Sequence, residues 1–212
     1  MEELTLDALL ARISSDNPDV RTEAWLAAGS IGAAAIKPLA AVVRQTEKGV
    51  EQLADDRKNK DLATALESHR AAKRAMWQIV RTAGAPGRDA ERKAVEAALL
   101  GLIGGDQPAC VRREVFWMLS EIGGDATLSA LREHEEILDD EHLREDARCM
   151  VERIPSPAAV ALLKEVLEEA PDDFKMNVVQ SLRVRGVRVD PEKYPCQKLV
   201  PTKQTGVAPV GR

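Results

Sequence analysis

The residues best suited to chemistry form a stretch rich in histidine and acid in the second half of the chain. His134-Glu135 and the reversed Glu141-His142 offer imidazole and carboxylate groups, which iron and zinc both take as ligands in proteins. The chain has only three histidines, and the sequence around these two is strongly acidic. We therefore expect a solvated acidic connection here, with no metal ligands.

The cysteines offer a second possible chemistry. Cys110, Cys149 and Cys196 are an odd number without metal-ligand spacing, which favours reduced thiols in a cytoplasmic protein. Cys110 and Cys149 fall on predicted helices at places that suit a small apolar residue, and no feature of the sequence marks a reactive thiolate. Because a Gly-rich phosphate loop is also missing from the sequence, we expect no catalytic residue and no cofactor.

Aromatic and charged residues point instead to binding. Trp25, Trp77 and Phe116 hold equivalent places in three copies of a helical phrase, and Trp117 is adjacent. Tryptophan is favoured at interface hot spots, but packing between helices is the commoner fate of such a residue. Both interpretations stay open, and packing is favoured. The candidate partner-binding residues are Trp25, Trp77, Trp117, Arg70, Arg74, Arg81, Glu133, Glu136, Asp140 and Glu141.

The elements that carry these residues are copies of one phrase, which starts at residues 20, 72, 111, 143 and 174. In the clearest copy, Val111, Val115, Leu119 and Ile122 form one apolar stripe of an α-helix. A partner helix precedes each copy. Such units cannot bury their apolar faces alone, so neighbouring copies must stack. The pattern predicts an all-α protein, an α-solenoid of about five helix pairs.

The phrase Asp-x-Pro-x-x-Val-Arg-x-x-(Ala/Val)-x-x-x-Leu-x-x-Ile-Gly resembles the HEAT repeat, particularly the short class of bilin-lyase-like proteins. The match is best at 106–123, good at 16–32 and poor at 70–84, and the resemblance covers residues 1–186. It implies a structural ladder, in which the acid ahead of each phrase and the arginine within it connect the repeats. The ladder residues would be Asp16, Arg21, Asp106, Arg112 and Arg144.

The resemblance also implies enzymatic alternatives. Deoxyhypusine hydroxylases bind iron through several His-Glu dyads, of which this chain has one, His134-Glu135. A bilin lyase-type activity would involve a tetrapyrrole and a cysteine. HEAT-like alkylpurine DNA glycosylases need a basic face for phosphates, whereas the net charge here is −5. We rank these alternatives below binding, and the glycosylase last.

The net charge conceals a sharp partition along the chain. Residues 121–173 hold 16 acidic and 5 basic side chains, whereas 68–93 hold 7 basic and 2 acidic ones. Residues 174–212 are again basic, with 8 basic and 2 acidic side chains. Such asymmetry favours electrostatically steered contacts. Either a basic segment of a partner binds the acidic half, or the chain's own basic tail lies on it.

Two segments interrupt the repeat pattern. A charged insert at 47–67 lengthens the first step between phrases, and it is either an extension of two helices or a loop. Residues 187–212 contain four prolines and no helical stripe, so we expect an extended or disordered tail.

These observations favour a binding protein over an enzyme. We expect a non-catalytic scaffold or adaptor for protein–protein interaction, located in the cytoplasm, whose partner is another protein. The most apolar run, 94–104, contains Glu96 and is too short to span a bilayer. We therefore expect no membrane partner, and the acidic half argues against nucleic acid.

Overall fold

The computed structural model describes residues 4–52 and 59–195, and within these ranges the chain is all-helical, with no strand. The predicted all-α class is therefore confirmed. The helices are α1 (Leu6–Ile13), α2 (Pro18–Ala27), α3 (Ile36–Gln52), α4 (Lys60–Ala83), α5 (Asp89–Leu100), α6 (Ala109–Ile122), α7 (Asp125–Arg132), α8 (Glu136–Asp139), α9 (Arg144–Arg153), α10 (Pro157–Glu169) and α11 (Asp172–Val184). Two short 3₁₀ turns, Ala28–Ser30 and Gly32–Ala35, connect α2 to α3.

Local sequence explains where these helices begin and end. Thr5, Asn17 and Ser156 each accept a backbone N–H at the start of α1, α2 and α10, which satisfies a donor that lacks an intrahelical partner. After α11 the backbone turns through Gly186 at φ 75°, and Val187 N–H donates to the Leu182 carbonyl. Glycine adopts this left-handed conformation without a Cβ clash.

The helices contact one another in two series. Helices α2, α4, α6, α9 and α11 pack side by side in that order, and they carry the five repeated phrases; we call them the first layer. Helices α3, α5, α7 and α10 likewise pack in succession and form the second layer. One connected hydrophobic cluster, from Leu9 to Leu182, fills the space between them. The outer surface of the first layer is therefore free to carry polar and aromatic groups.

The two interrupting segments are only partly described. Within the insert, α3 covers 47–52 and α4 covers 60–67, while 53–58 lie outside the described residues. Residues 187–195 form neither helix nor strand, and Val187 and Val189 pack against the core. The rest of the tail, 196–212, with Cys196, is outside the described residues.

Candidate functional site: the tryptophan contacts and the acidic groove

Two of the tryptophans join neighbouring helices of the first layer through a carboxylate. Trp77 Nε1 on α4 donates to Glu114 on α6 over 2.5 Å, and Lys73 pairs with the same carboxylate. Trp117 Nε1 on α6 donates to Asp146 on α9 over 2.8 Å. We call these the second and third tryptophan contacts. In each, the acceptor is charged, which makes the hydrogen bond stronger than one between neutral groups.

The third contact uses the same arrangement as the second. Arg113 Nε donates to Asp146 over 2.6 Å, so a cation and an indole four residues apart on one helix share one carboxylate of the next helix. Trp117, and not Phe116, therefore corresponds to Trp77. The sequence alignment of Phe116 with Trp77 was wrong by one residue, since Phe116 is fully buried whereas Trp117 is 38% exposed.

Trp25 on α2 makes a different contact, which we call the first tryptophan contact. The guanidinium of Arg74 on α4 lies over the indole ring, 6.0 Å from its centroid. Trp25 Nε1 is buried and has no hydrogen-bond partner among the described residues. All three tryptophans thus bridge first-layer helices and remain partly exposed. The packing interpretation describes these contacts, and partner binding stays a prediction.

The other predicted basic residues lie on the same helix, α4. Arg70 pairs with Glu67 one turn away, over 2.8 Å, and Arg81 lies over the Trp77 ring, 5.9 Å from its centroid. Arg70, Arg74 and Arg81 are all exposed. The predicted basic set is therefore a row along one helix, in which local acids and aromatic rings hold several of the side chains.

The first layer continues past the tryptophans as a charged network. Arg148 on α9 is buried and pairs with Glu145 and Glu152. Its hydrogen bond to Glu145 holds the pKa of that carboxyl below its usual range. Glu145 also accepts from Asn177 on α11, over 3.1 Å. No tryptophan occupies this end of the layer, where charge and amide groups connect α9 to α11.

Two of the five predicted ladder residues bind the backbone. Arg21 donates to the Ser15 carbonyl over 2.6 Å, and the buried Arg112 donates to the Ile103 carbonyl over 2.8 Å. Arg144 reaches an acid of the next phrase, Asp173, over 2.5 Å. Asp16 accepts instead from Thr64, and Asp106 from Gln107. The two arginines thus fix the connections around their own helices, because those carbonyls are nearer than any acid.

An acidic groove with an apolar floor opens between α7, α8 and α10. Its volume is about 300 Å³. Glu135, Asp139, Glu165 and Glu169 line its walls; Arg132 also lines it, and it is paired with Glu165 over 3.0 Å. The floor residues are Leu131, Leu138, Leu162 and Val166. This lining suits a segment that presents both apolar and basic side chains.

The residues that line the groove differ from the acidic contact residues predicted from sequence. Glu133, Glu136 and Glu141 are exposed beside it but do not line it. Asp140 accepts the His142 backbone N–H over 2.8 Å and so shapes the turn before α9. Sequence reasoning missed Glu165 and Glu169, since no local pattern shows that α10 faces α8.

The protonation of the cysteine thiols and the neighbours of the histidines are relevant to the enzymatic alternatives. Burial and the neighbouring Glu47 carboxylate raise the pKa of the Cys110 thiol to about 12, and burial raises the pKa of Cys149. Both thiols are therefore protonated, and poorly nucleophilic, at neutral pH. His134 contacts Glu136 over 3.2 Å. In the described ranges, no three histidine, cysteine or acidic side chains stand close enough together to hold a metal ion.

A scan against protein-family models, a search of curated proteins and a search of solved structures each found no match. The resemblance to HEAT repeats thus rests on the repeated phrase itself. No helix in the described part of the chain is both long and apolar enough to cross a bilayer.

Proposed function

We propose that this chain is a HEAT-like α-solenoid that works as a non-catalytic scaffold for protein–protein interaction. Its acidic groove would bind a basic, amphipathic segment of a partner protein. Two observations support the solenoid: among the described residues, the more extensive helix contacts are between neighbouring helix pairs, and one hydrophobic cluster runs through them all. Each repeat then buries its apolar face against the next, as stacked repeats do.

The observation that carries the binding proposal is the lining of the acidic groove. Four carboxylates stand around a floor of leucine and valine, and the lining contains one cation, Arg132. A partner helix or extended segment with alternating leucine and lysine side chains would bury its apolar groups on the floor. Its ammonium groups would reach the carboxylates of Glu135, Asp139 and Glu169. Charge of this kind adds on-rate and specificity more than raw affinity.

A pair of synthetic peptides tests this function. One is a short amphipathic peptide of leucine and lysine, and the other replaces each lysine by glutamate. We expect the lysine peptide to bind and the glutamate peptide not to bind this groove. Binding of the lysine peptide should weaken as salt is raised, because the exposed carboxylates are screened.

Two adjacent glutamates on α10 supply matched variants. Glu169 lines the groove and Glu168 does not, while both side chains are exposed. We expect Glu169→Lys to weaken the lysine peptide about fivefold, the upper end for an exposed ion pair. Glu168→Lys makes the same change in net charge and should leave the affinity nearly unchanged. Equal losses in both variants, or no binding by the wild type, would refute the groove as the binding site.

A further inference from the structure

The first tryptophan contact lacks the carboxylate that the other two contain. Trp77 donates to Glu114 and Trp117 donates to Asp146, whereas Trp25 faces the guanidinium of Arg74. The partner of the tryptophan is thus a carboxylate at two of the contacts and an arginine at the other.

The spacing of residues along the first-layer helices identifies the position that holds either a carboxylate or an arginine. A basic residue precedes each tryptophan by four positions, in Arg21–Trp25, Lys73–Trp77 and Arg113–Trp117, so both members share a helix face. On α4 and α6, the residue that directly follows the basic one contacts the tryptophan of the preceding first-layer helix. Arg74 lies over Trp25, whereas Glu114 accepts from Trp77. On α9 the residue that accepts from Trp117 is again acidic, Asp146. Arg74 therefore occupies the place of a carboxylate.

Because an arginine stands where the other contacts have a carboxylate, three donor groups have no acidic partner. Trp25 Nε1 is buried and unpaired, Arg74 is exposed, and Arg21 uses one N–H on the Ser15 carbonyl. Among the described residues, none of these groups forms an ion pair. A buried donor without a partner is costly. A carboxylate from outside the chain would satisfy all three groups.

We propose that Trp25, Arg74 and Arg21 form a binding site for a carboxylate side chain of an acidic partner segment. The carboxylate would take the place that Glu114 takes beneath Trp77, accepting from Trp25 Nε1 and pairing with both arginines. The Arg74 side chain moves off the indole as the carboxylate enters, since a cation–π contact at an exposed site is weak. This site lies between the first two helices of the first layer, α2 and α4, and has the opposite charge preference to the acidic groove.

Charge-matched variants test the site with a fluorescein-labelled glutamate-rich peptide as the probe. Arg74→Glu supplies the missing carboxylate from within the chain, so we expect about tenfold weaker binding, which equals about 1.4 kcal/mol. Arg44 on α3 is also exposed, and Arg44→Glu makes the same change in net charge. That control should alter the affinity by less than about twofold if long-range charge contributes little. Equal losses in both variants, or no binding by the wild type, would overturn the proposal.

The indole proton gives a second readout that nonspecific attraction would not move. In ¹H–¹⁵N spectra, the Trp25 Nε1–H resonance, assigned with Trp25→Phe, should shift downfield when the peptide is added, while those of Trp77 and Trp117 stay in place. In the Arg74→Glu variant, the Trp25 Nε1–H resonance should already lie downfield of its wild-type position before any peptide is added. A Trp25 signal that ignores the peptide would overturn the proposal. The proposal would also be overturned if a DNA duplex bound more tightly than the peptide and this binding depended on Arg74, because the ligand would then be phosphate.

Discussion

The three tryptophans allow one substitution to be compared in three settings. Trp→Phe at each position removes the indole N–H but keeps an aromatic ring. Trp25 and Trp77 form the closest comparison, since each ring is half-buried and carries an arginine, at 6.0 and 5.9 Å from the ring centroid. Loss of ring area and weakening of the cation–π contact should therefore cost nearly the same at both positions.

The two sites differ in the partner of the N–H. At Trp77 the substitution removes a hydrogen bond to a carboxylate, Glu114, worth about 1.5–3 kcal/mol. About 0.5 kcal/mol for the smaller apolar area adds to this, so we expect Trp77→Phe to lower the free energy of unfolding by about 2–3.5 kcal/mol. At Trp25 it removes a buried donor without a partner, which relieves about 1–3 kcal/mol. Trp25→Phe should thus leave the stability unchanged or raise it.

Urea denaturation followed by far-UV circular dichroism measures both values, because helix signal does not depend on the indole removed. Trp117→Phe should lie between them, since Trp117 is 38% exposed and water can replace part of its contact with Asp146. A loss at Trp25 as large as the loss at Trp77 would refute the reasoning. It would mean that ring packing, and not the hydrogen bond, determines the stability of these contacts.

Two further predictions concern buried groups. Glu96 is 6% exposed and accepts from Gly124 N–H and Thr127 Oγ1. Glu96→Ala should therefore lower the free energy of unfolding by about 2–4 kcal/mol, because the buried Thr127 hydroxyl and the half-buried Gly124 N–H lose their acceptor. Glu96→Gln keeps an acceptor and should cost less; equal losses in urea denaturation would contradict this. The pKa of Cys110 is raised to about 12, so its thiolate is scarce below that pH and increases as pH rises towards 12. Alkylation by iodoacetamide at mildly alkaline pH, located by mass spectrometry, measures this. The rate at Cys110 should be about a thousandfold lower than for a free thiol of pKa about 8.5. Rapid alkylation of Cys110 would contradict the burial argument.

Much of the helical framework could be predicted from residue type and spacing. Val111, Val115, Leu119 and Ile122 form an apolar stripe in the sequence, and all four are buried in α6. Thr5 and Ser156 are residue types that cap helices, and each accepts a backbone N–H in the first turn of α1 or α10. These features depend on neighbours within a few residues, so a local pattern contains the information.

The candidate sites depended on information that no local pattern contains. Adjacent residues of a helix point about 100° apart, and the sequence does not say that Phe116 faces the core while Trp117 faces α9. The acceptors of the Trp77 and Trp117 indoles lie 37 and 29 residues further along the chain. Nor could the acidic groove be located, since Glu135 and Glu165 line one groove only because α7 and α10 pack together.

Sequence alone thus determined the helical class, the repeated phrase and the charge partition, because each is a property of composition or of short-range period. Tertiary packing decided which tryptophan finds a carboxylate and which faces Arg74, and it decided where the acids of the second half converge. The physical reason is that hydrogen bonds and ion pairs act over a few ångströms between helices distant in sequence. Their partners are chosen by the rotation and register of each helix against the next.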